Sequence, residues 1–337
     1  MHPPLFVRFL ISLGIALALL AILLWLGDLQ PSQLVAAVRN LPLSVYGTAL
    51  AIHVGIYLVR ALRFAVLLPT GQRPPFAGVF AASAAHNLAA YVLPAKTGEA
   101  TLVVYLRGHS GVAASAGLAS LVLSRLLDLA TLTGIVGVLI WIARGRFEGS
   151  FATAAPALVA VLLTVSAAVL AACLRPDLLA LAAGSGARRA GLARTRIGLR
   201  ILERLQTVAE ALRTAARPGA LATGLVTSAA IWALVFAFYA VLGRGAGLPP
   251  ELGFVDSSFG ASLAVLFNLL PINGFAGFGT QEAGWQVGYE LVGVDGALAL
   301  STGFAVHLAQ LANVLVLGLL GHLALPFVSG PRRPSAE

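Results

Sequence analysis

Leu93-Pro94-Ala95-Lys96-Thr97-Gly98-Glu99-Ala100 interrupts an apolar run, and a second interruption of the same design opens at Leu270-Pro271 and closes at Thr280-Gln281-Glu282-Ala283. Each reads Leu-Pro and then Thr-x-Glu-Ala. Each also follows an apolar segment that carries an asparagine, Asn87 in one case and Asn268 in the other. The chain holds only eight glutamates in 337 residues, so two in matched contexts point to a duplicated element. Helix breaks at corresponding places in two halves of an apolar chain are the sequence mark of a binding site between transporter repeats.

The surrounding composition is that of a membrane protein. Hydrophobic residues make up 59% of the chain, charged residues 10%, and mean hydropathy is +0.92. A soluble domain carries about 25% charged residues, and a helix crosses a bilayer with about 20 apolar residues. The fold expected is an all-α integral membrane protein with six full transmembrane helices, at about 5–27, 43–68, 115–142, 151–174, 219–242 and 296–327. Segment 5–27 exceeds the ~7–15-residue core of a signal peptide and reads as a retained first span.

The two apolar segments that end in Leu-Pro, 77–93 and 255–270, are short for a crossing, and a second short apolar stretch follows each. They are expected to form re-entrant helix pairs, 77–110 and 255–293, of the kind tolerated at membrane depth only when buried in protein or lining a wet cavity. The expected organisation is one transmembrane domain over 1–337. Its first half is 43–174, a basic segment covers 175–217, and its second half is 219–327.

Charge placement gives an orientation. Nine of the 22 basic residues lie between Arg175 and Arg217. With the N-terminus inside, Arg8, Arg60, Arg63, Arg73, Lys96, Arg107, those nine and Arg332–Arg333 make 17 cytoplasmic charges; Arg39, Arg144, Arg146 and Arg244 make 4 outside, and Arg125 stands in the membrane. This asymmetry obeys the positive-inside rule. It places both termini on the cytoplasmic side of a bacterial-type inner membrane. The two hairpins then enter from opposite faces, as an inverted repeat requires. The net charge of +9 thus reports topology, not nucleic-acid binding. Segment 195–217 has apolar residues at helical spacing and arginines on other faces; it reads equally as an amphipathic helix on the inner leaflet or as a solvated connector.

The polar residues inside apolar sequence are the candidate site. In one reading, Thr97 and Thr280 cap half-helices and Glu99 and Glu282 complete their first turns. In the other, the half-helix N-termini form an anion-favouring site in which these glutamates act. Arg125 and Asp128, three apart on one helix face, read as a self-neutralising pair or as a phosphate-holding group with its orienting carboxylate. His53, Tyr57 and Arg60 form a stripe, with Arg60 and Arg63 expected to snorkel and His53 to be hydrogen-bonded in the core. His307, Gln310 and Asn313 share a face of the last span. Trp285 and Tyr289 are expected in an interfacial aromatic belt. Gly274, Gly277 and Gly279 allow tight turns and close approach. The single Cys173 reads as a packing residue, and no metal-ligand or nucleotide-binding spacing appears, so no cofactor is expected.

Asn87…Leu93-Pro94…Gly98-Glu99, Arg125-Leu126-Leu127-Asp128 and Leu270-Pro271…Gly277-Phe278-Gly279-Thr280-Gln281-Glu282 resemble the membrane region of lysyl-phosphatidylglycerol synthetases. The resemblance runs from the second span to the last. It implies a multi-span helical fold with re-entrant helices and an activity in moving a lipid with a polar head group between leaflets. Two-part members add a soluble aminoacyl-transferase domain. This chain ends at Glu337 without one, so aminoacyl-lipid synthesis is not expected.

The function expected is therefore a lipid translocase for an anionic phospholipid or isoprenoid phosphate, possessing no catalytic residue. Its substrate-binding residues are Asn87, Lys96, Thr97, Glu99, Arg125, Asp128, Asn268, Gly277, Gly279, Thr280 and Glu282. Two alternatives stand beside it: a membrane-embedded transferase acting on a polyprenyl phosphate or phospholipid, and a non-transporting scaffold that partners a lipid-synthesis enzyme.

Overall fold

The computed structural model describes residues 39–175, 216–269 and 275–328, with isolated positions at 32 and between 195 and 213. The side chains of 94–96 and 275 lie outside the described set. The order is α1 (Leu43–Leu67), α2 (Phe76–Val92), a 3-10 segment (Pro94–Ala100), α3 (Thr101–Ser110), α4 (Ala114–Ala143), α5 (Gly149–Leu174), α6 (Pro218–Gly245), α7 (Phe254–Asn268), a 3-10 turn (Phe275–Gly277), α8 (Thr280–Glu290) and α9 (Gly296–Ala324). No strand occurs among the described residues.

Local chemistry sets several of these ends. Pro218 opens α6, where its missing N–H would be unpaired in any case. Asp295 caps α9 by accepting the Leu298 N–H at 3.0 Å. Gly111, at φ 64°, ends α3 in the left-handed conformation.

Five helices, α1, α4, α5, α6 and α9, are long and apolar enough to cross a membrane. They match five of the six expected spans; segment 5–27 and most of 195–217 fall outside the described residues. α5 is peripheral, with only Ala155, Val159 and Cys173 buried along its 26 residues. Its exposed leucines and valines suit lipid, which is as apolar as they are.

α2 has 17 residues and α7 has 15. At 1.5 Å per residue they reach about 26 and 23 Å, short of the ~30 Å hydrocarbon core. Each turns back and packs antiparallel against its successor. A Cβ on Gly98 would stand 2.2 Å from the Ala89 carbonyl oxygen, and one on Gly288 would stand 2.2 Å from that of Gly260. Only glycine permits backbones so close. Across the halves, α1 lies against α6, α2 against α9 and α7 against α4.

Trp285 and Tyr289 are not belt residues. They are 1% and 0% exposed, with the Trp285 indole N–H donating to Thr302 Oγ1 at 3.3 Å and the Tyr289 hydroxyl donating to the Ser257 carbonyl at 3.1 Å. Large amphipathic rings satisfy their one polar atom internally when the fold supplies an acceptor.

Candidate functional site

The first hairpin brings its break against α1 and α4. Arg63, fully buried on α1, makes a two-pronged contact with Asp128 on α4, one arm at 2.9 Å, and also donates to Ser228 Oγ on α6 at 2.7 Å. Arg125, one turn before Asp128, donates to Glu99 Oε2 through Nε at 3.0 Å and Nη2 at 2.6 Å. Its link to Asp128 is 3.5 Å, so the expected self-neutralising Arg125–Asp128 pair is weaker than the Arg125–Glu99 contact. Bidentate geometry explains the preference: a guanidinium fork gains most from a carboxylate that meets two of its N–H groups. His86 Nδ1 lies 3.2 Å from both the Gly98 carbonyl and Thr101 Oγ1, tying α2 to the break.

Arg60 is different. Its Nη1 donates to Asn87 Oδ1 at 2.6 Å, and the Asn87 amide donates to Tyr57 Oη at 2.5 Å, but among the described residues no carboxylate pairs with Arg60. The cluster therefore sets three guanidinium groups (Arg60, Arg63, Arg125) against two carboxylates (Glu99, Asp128), leaving one positive charge in excess. Arg60 and Arg63 do not snorkel. Partners supplied by three other helices make burial cheaper than reaching the interface.

Arg60 and Asn87 line a partly open cavity of about 160 Å³ to which both halves contribute. α1 contributes His53 and Ile56, α2 Tyr91, α6 Trp232, Phe238 and Tyr239, α7 Asn268 and Leu269, and α9 Gln310. Gln310 is the junction. Its amide donates to Tyr91 Oη, and its carbonyl accepts from Tyr239 Oη and Gln281 Nε2, each at 3.0 Å. Three buried nitrogens of the lining, His53 Nδ1, Arg60 Nε and Trp232 Nε1, have no hydrogen-bond partner among the described residues. A desolvated donor without an acceptor costs about 1–3 kcal/mol, so this wall favours a ligand rich in acceptors. His53 is thus a cavity group, not the satisfied core histidine expected from its place in the stripe.

The second break is organised around Glu282. Gly277 and Gly279 take φ 87° and 86°, and Ala276, immediately before them, φ 54°. The helix cap is Gly279, not Thr280: the Gly279 N–H donates to Glu282 Oε2 at 2.8 Å, while Thr280 Oγ1 donates to the Gly277 carbonyl at 3.0 Å. Glu282 Oε1 lies 2.5 Å from His307 Nδ1, and both side chains are fully buried.

The structure thus joins Asn87, Glu99, Arg125 and Asp128 in one cluster. It sets Asn268 on the cavity, with Gly277 packed close to the Asn268 side chain, and gathers Gly279, Thr280 and Glu282 beside it. Thr97 is exposed, and the Lys96 side chain lies outside the described set. Thr97 does not cap a half-helix, because 94–100 is 3-10 and α3 begins only at Thr101; Glu99 precedes that helix instead of occupying its first turn. Sequence reasoning passed over Arg60, Arg63, Tyr91, Trp232 and Tyr239 as site residues. The signal for the arginines was available, since Tyr57, Arg60 and Arg63 recur at helical spacing within an apolar span.

A multi-pass helical membrane protein with two broken-helix hairpins around a charged interior is the class so defined. The family described as the lysylphosphatidylglycerol synthase TM region matches residues 9–318, and the chain belongs to it. A stretch of 137 residues, 40% of this chain, is 27% identical to "Glycosyltransferase AglD" of Haloferax volcanii and spans 22% of that protein's length. No solved structure matches the chain.

Proposed function

We propose that the protein is a translocase for a lipid with an anionic, phosphate-bearing head group. The observation that carries this reading is Arg60, a guanidinium with no carboxylate partner among the described residues, in the wall of a cavity lined by both halves. An interior cation in excess is costly, and an anionic ligand offsets that cost. The head group sits at Arg60 with Asn87, Tyr91, Trp232 and Asn268 around it, and its tails stay in lipid. α2–α3 and α7–α8 act as oppositely entering re-entrant pairs of an inverted repeat, and rocking of the halves exposes the cavity to each leaflet in turn. The positive-inside count orients the termini to the cytoplasm of an inner membrane. The lipid is an anionic phospholipid or an isoprenoid phosphate.

The test is leaflet exchange in liposomes containing head-group-labelled phosphatidylglycerol, a polyprenyl-phosphate analogue or a neutral lipid, with dithionite quenching the outer leaflet. Quenching beyond one leaflet's share is expected for an anionic lipid only. Arg60→Gln is expected to slow it about ten- to a hundredfold, the equivalent of a charge-assisted hydrogen bond of about 1.5–3 kcal/mol. Glu99→Gln, which frees Arg125, is also expected to impair exchange. Equal quenching of all lipids, unchanged in Arg60→Gln, would sink the reading.

Similarity to part of a glycosyltransferase supports a second reading, in which the domain presents a lipid for glycosyl transfer. Its signature is product formed from a sugar donor in vesicles that show no exchange.

A further inference from the structure

The His307 ring is flanked by oxygens on both sides. Nδ1 lies 2.5 Å from Glu282 Oε1, and Nε2 lies 3.1 Å from the carbonyl of Ala276. A neutral imidazole has one N–H. The carbonyl has no proton to give, so Nε2–H must donate to it. The hydrogen bond between Nδ1 and Oε1 then needs a second proton, carried as imidazolium with carboxylate or as neutral imidazole with carboxylic acid. Both forms are electrically neutral, as burial demands: each side chain is 0% exposed, and among the described residues neither forms an ion pair with a third charged group.

We propose that Glu282 and His307 form a buried site for one proton, and that its occupancy holds the second hairpin break closed. Releasing that proton leaves one N–H and a net negative charge on the pair. The remaining N–H goes to the carboxylate, because a charge-assisted bond is roughly twice as strong as a neutral one. Nε2 then turns a lone pair toward the Ala276 carbonyl, and the contact becomes repulsive. That carbonyl belongs to the non-glycine residue held at φ 54°, in the left-handed region that side chains disfavour. Glu282 Oε2 meanwhile caps Gly279, so both ends of the turn depend on the pair.

The break also communicates with the cavity. Gln281, beside Glu282, donates to Gln310, one turn beyond His307, and Gln310 lines the cavity. The titratable groups facing the pair from packed elements are Tyr91 on α2 and Tyr239 on α6, both through Gln310. His53 and Arg60 of α1 lie across the cavity. The proton binds the closed form, so closure is favoured at low pH and lost as pH rises. A consequence for transport, namely coupling of cavity opening to proton release, rests on the translocase reading; the proton site itself does not.

Hydrogen exchange of amides 276–280 in the full chain, from about pH 5 to about pH 10 and corrected for intrinsic rates, tests the site. The wild type is expected to lose protection at least tenfold across a single transition. Glu282→Gln keeps the geometry without the titrating proton: its amide oxygen accepts from Gly279, its N–H donates to Nδ1, and Nε2–H still serves Ala276. Its protection is expected to be flat. His307→Gln, which lacks the ring, should also lack the transition. A flat wild-type profile, or the wild-type transition persisting in either variant, overturns the proposal. The readout is separate from lipid exchange. Exchange with no transition removes the proton site alone, and a transition with no lipid exchange removes the translocase reading alone.

Discussion

Arg63→Met is expected to lower the stability of the folded protein by about 3–5 kcal/mol, the cost of leaving one partner of a buried ion pair alone. Arg63 is fully buried, and it joins Asp128 and Ser228 on two other helices, so its removal takes the donor from both at once. The stranded Asp128 keeps only the 3.5 Å approach of Arg125, which is already engaged by Glu99. In thermal unfolding of the purified protein in detergent, the apparent Tm should fall by about 6–20 °C. Arg63→Lys should recover little, because an ammonium cannot reproduce the two-pronged contact. Arg63→Met combined with Asp128→Leu should recover most of the loss, since replacing both members with apolar groups removes the uncompensated charge. A wild-type Tm in the single Arg63→Met variant would show that the pair carries no net stability.

Gly288→Ala is expected to disrupt the second hairpin. The added methyl meets the Gly260 carbonyl oxygen at 2.2 Å and its Cα at 3.0 Å, all backbone, so no side chain can swing aside. α7 and α8 must separate, and the Tyr289 bond to Ser257 stretches with them. Overpacking of this kind costs about 1–3 kcal/mol or more. Gly47→Ala is the control, because a Cβ at Gly47 in α1 meets nothing within 4 Å. There alanine should stabilise the helix by up to about 1 kcal/mol, its intrinsic advantage over glycine. The same thermal assay reads both, and opposite signs are expected. A Gly288→Ala variant as stable as wild type would contradict the close hairpin packing.

Much of the architecture is legible in the residues themselves. The five crossing helices follow from predominantly apolar runs of 25 residues or more, and the two breaks follow from Leu-Pro with glycine nearby. Those signals are local: a run's length and a proline's missing N–H need no distant partner to act. Glu99 and Glu282 were found for the same reason, as carboxylates in sequence too apolar to hold them idle. Their roles, however, diverge despite the matched contexts. Glu99 clamps an arginine of α4 at a partly exposed position, while Glu282 is sealed against a histidine of α9 and caps its own helix.

That divergence marks the boundary between the two levels. The sequence by itself determined that this is a helical membrane protein with two helix breaks and charges beside them. Only the tertiary structure decided which charges neutralise one another. Arg63 and Asp128 are 65 residues apart, Arg125 and Glu99 are 26 apart, and Gln310 and Tyr91 are 219 apart. Helical spacing puts Arg125 within reach of Asp128, yet α1 and the first break deliver partners with better geometry. In a low-dielectric interior, the strength of a hydrogen-bonded pair depends on distance and angle between groups that chain order does not relate. Among the described residues Arg60 is left without a carboxylate partner for the same reason: its excess charge in this cluster is visible only after Glu99 and Asp128 have found Arg125 and Arg63.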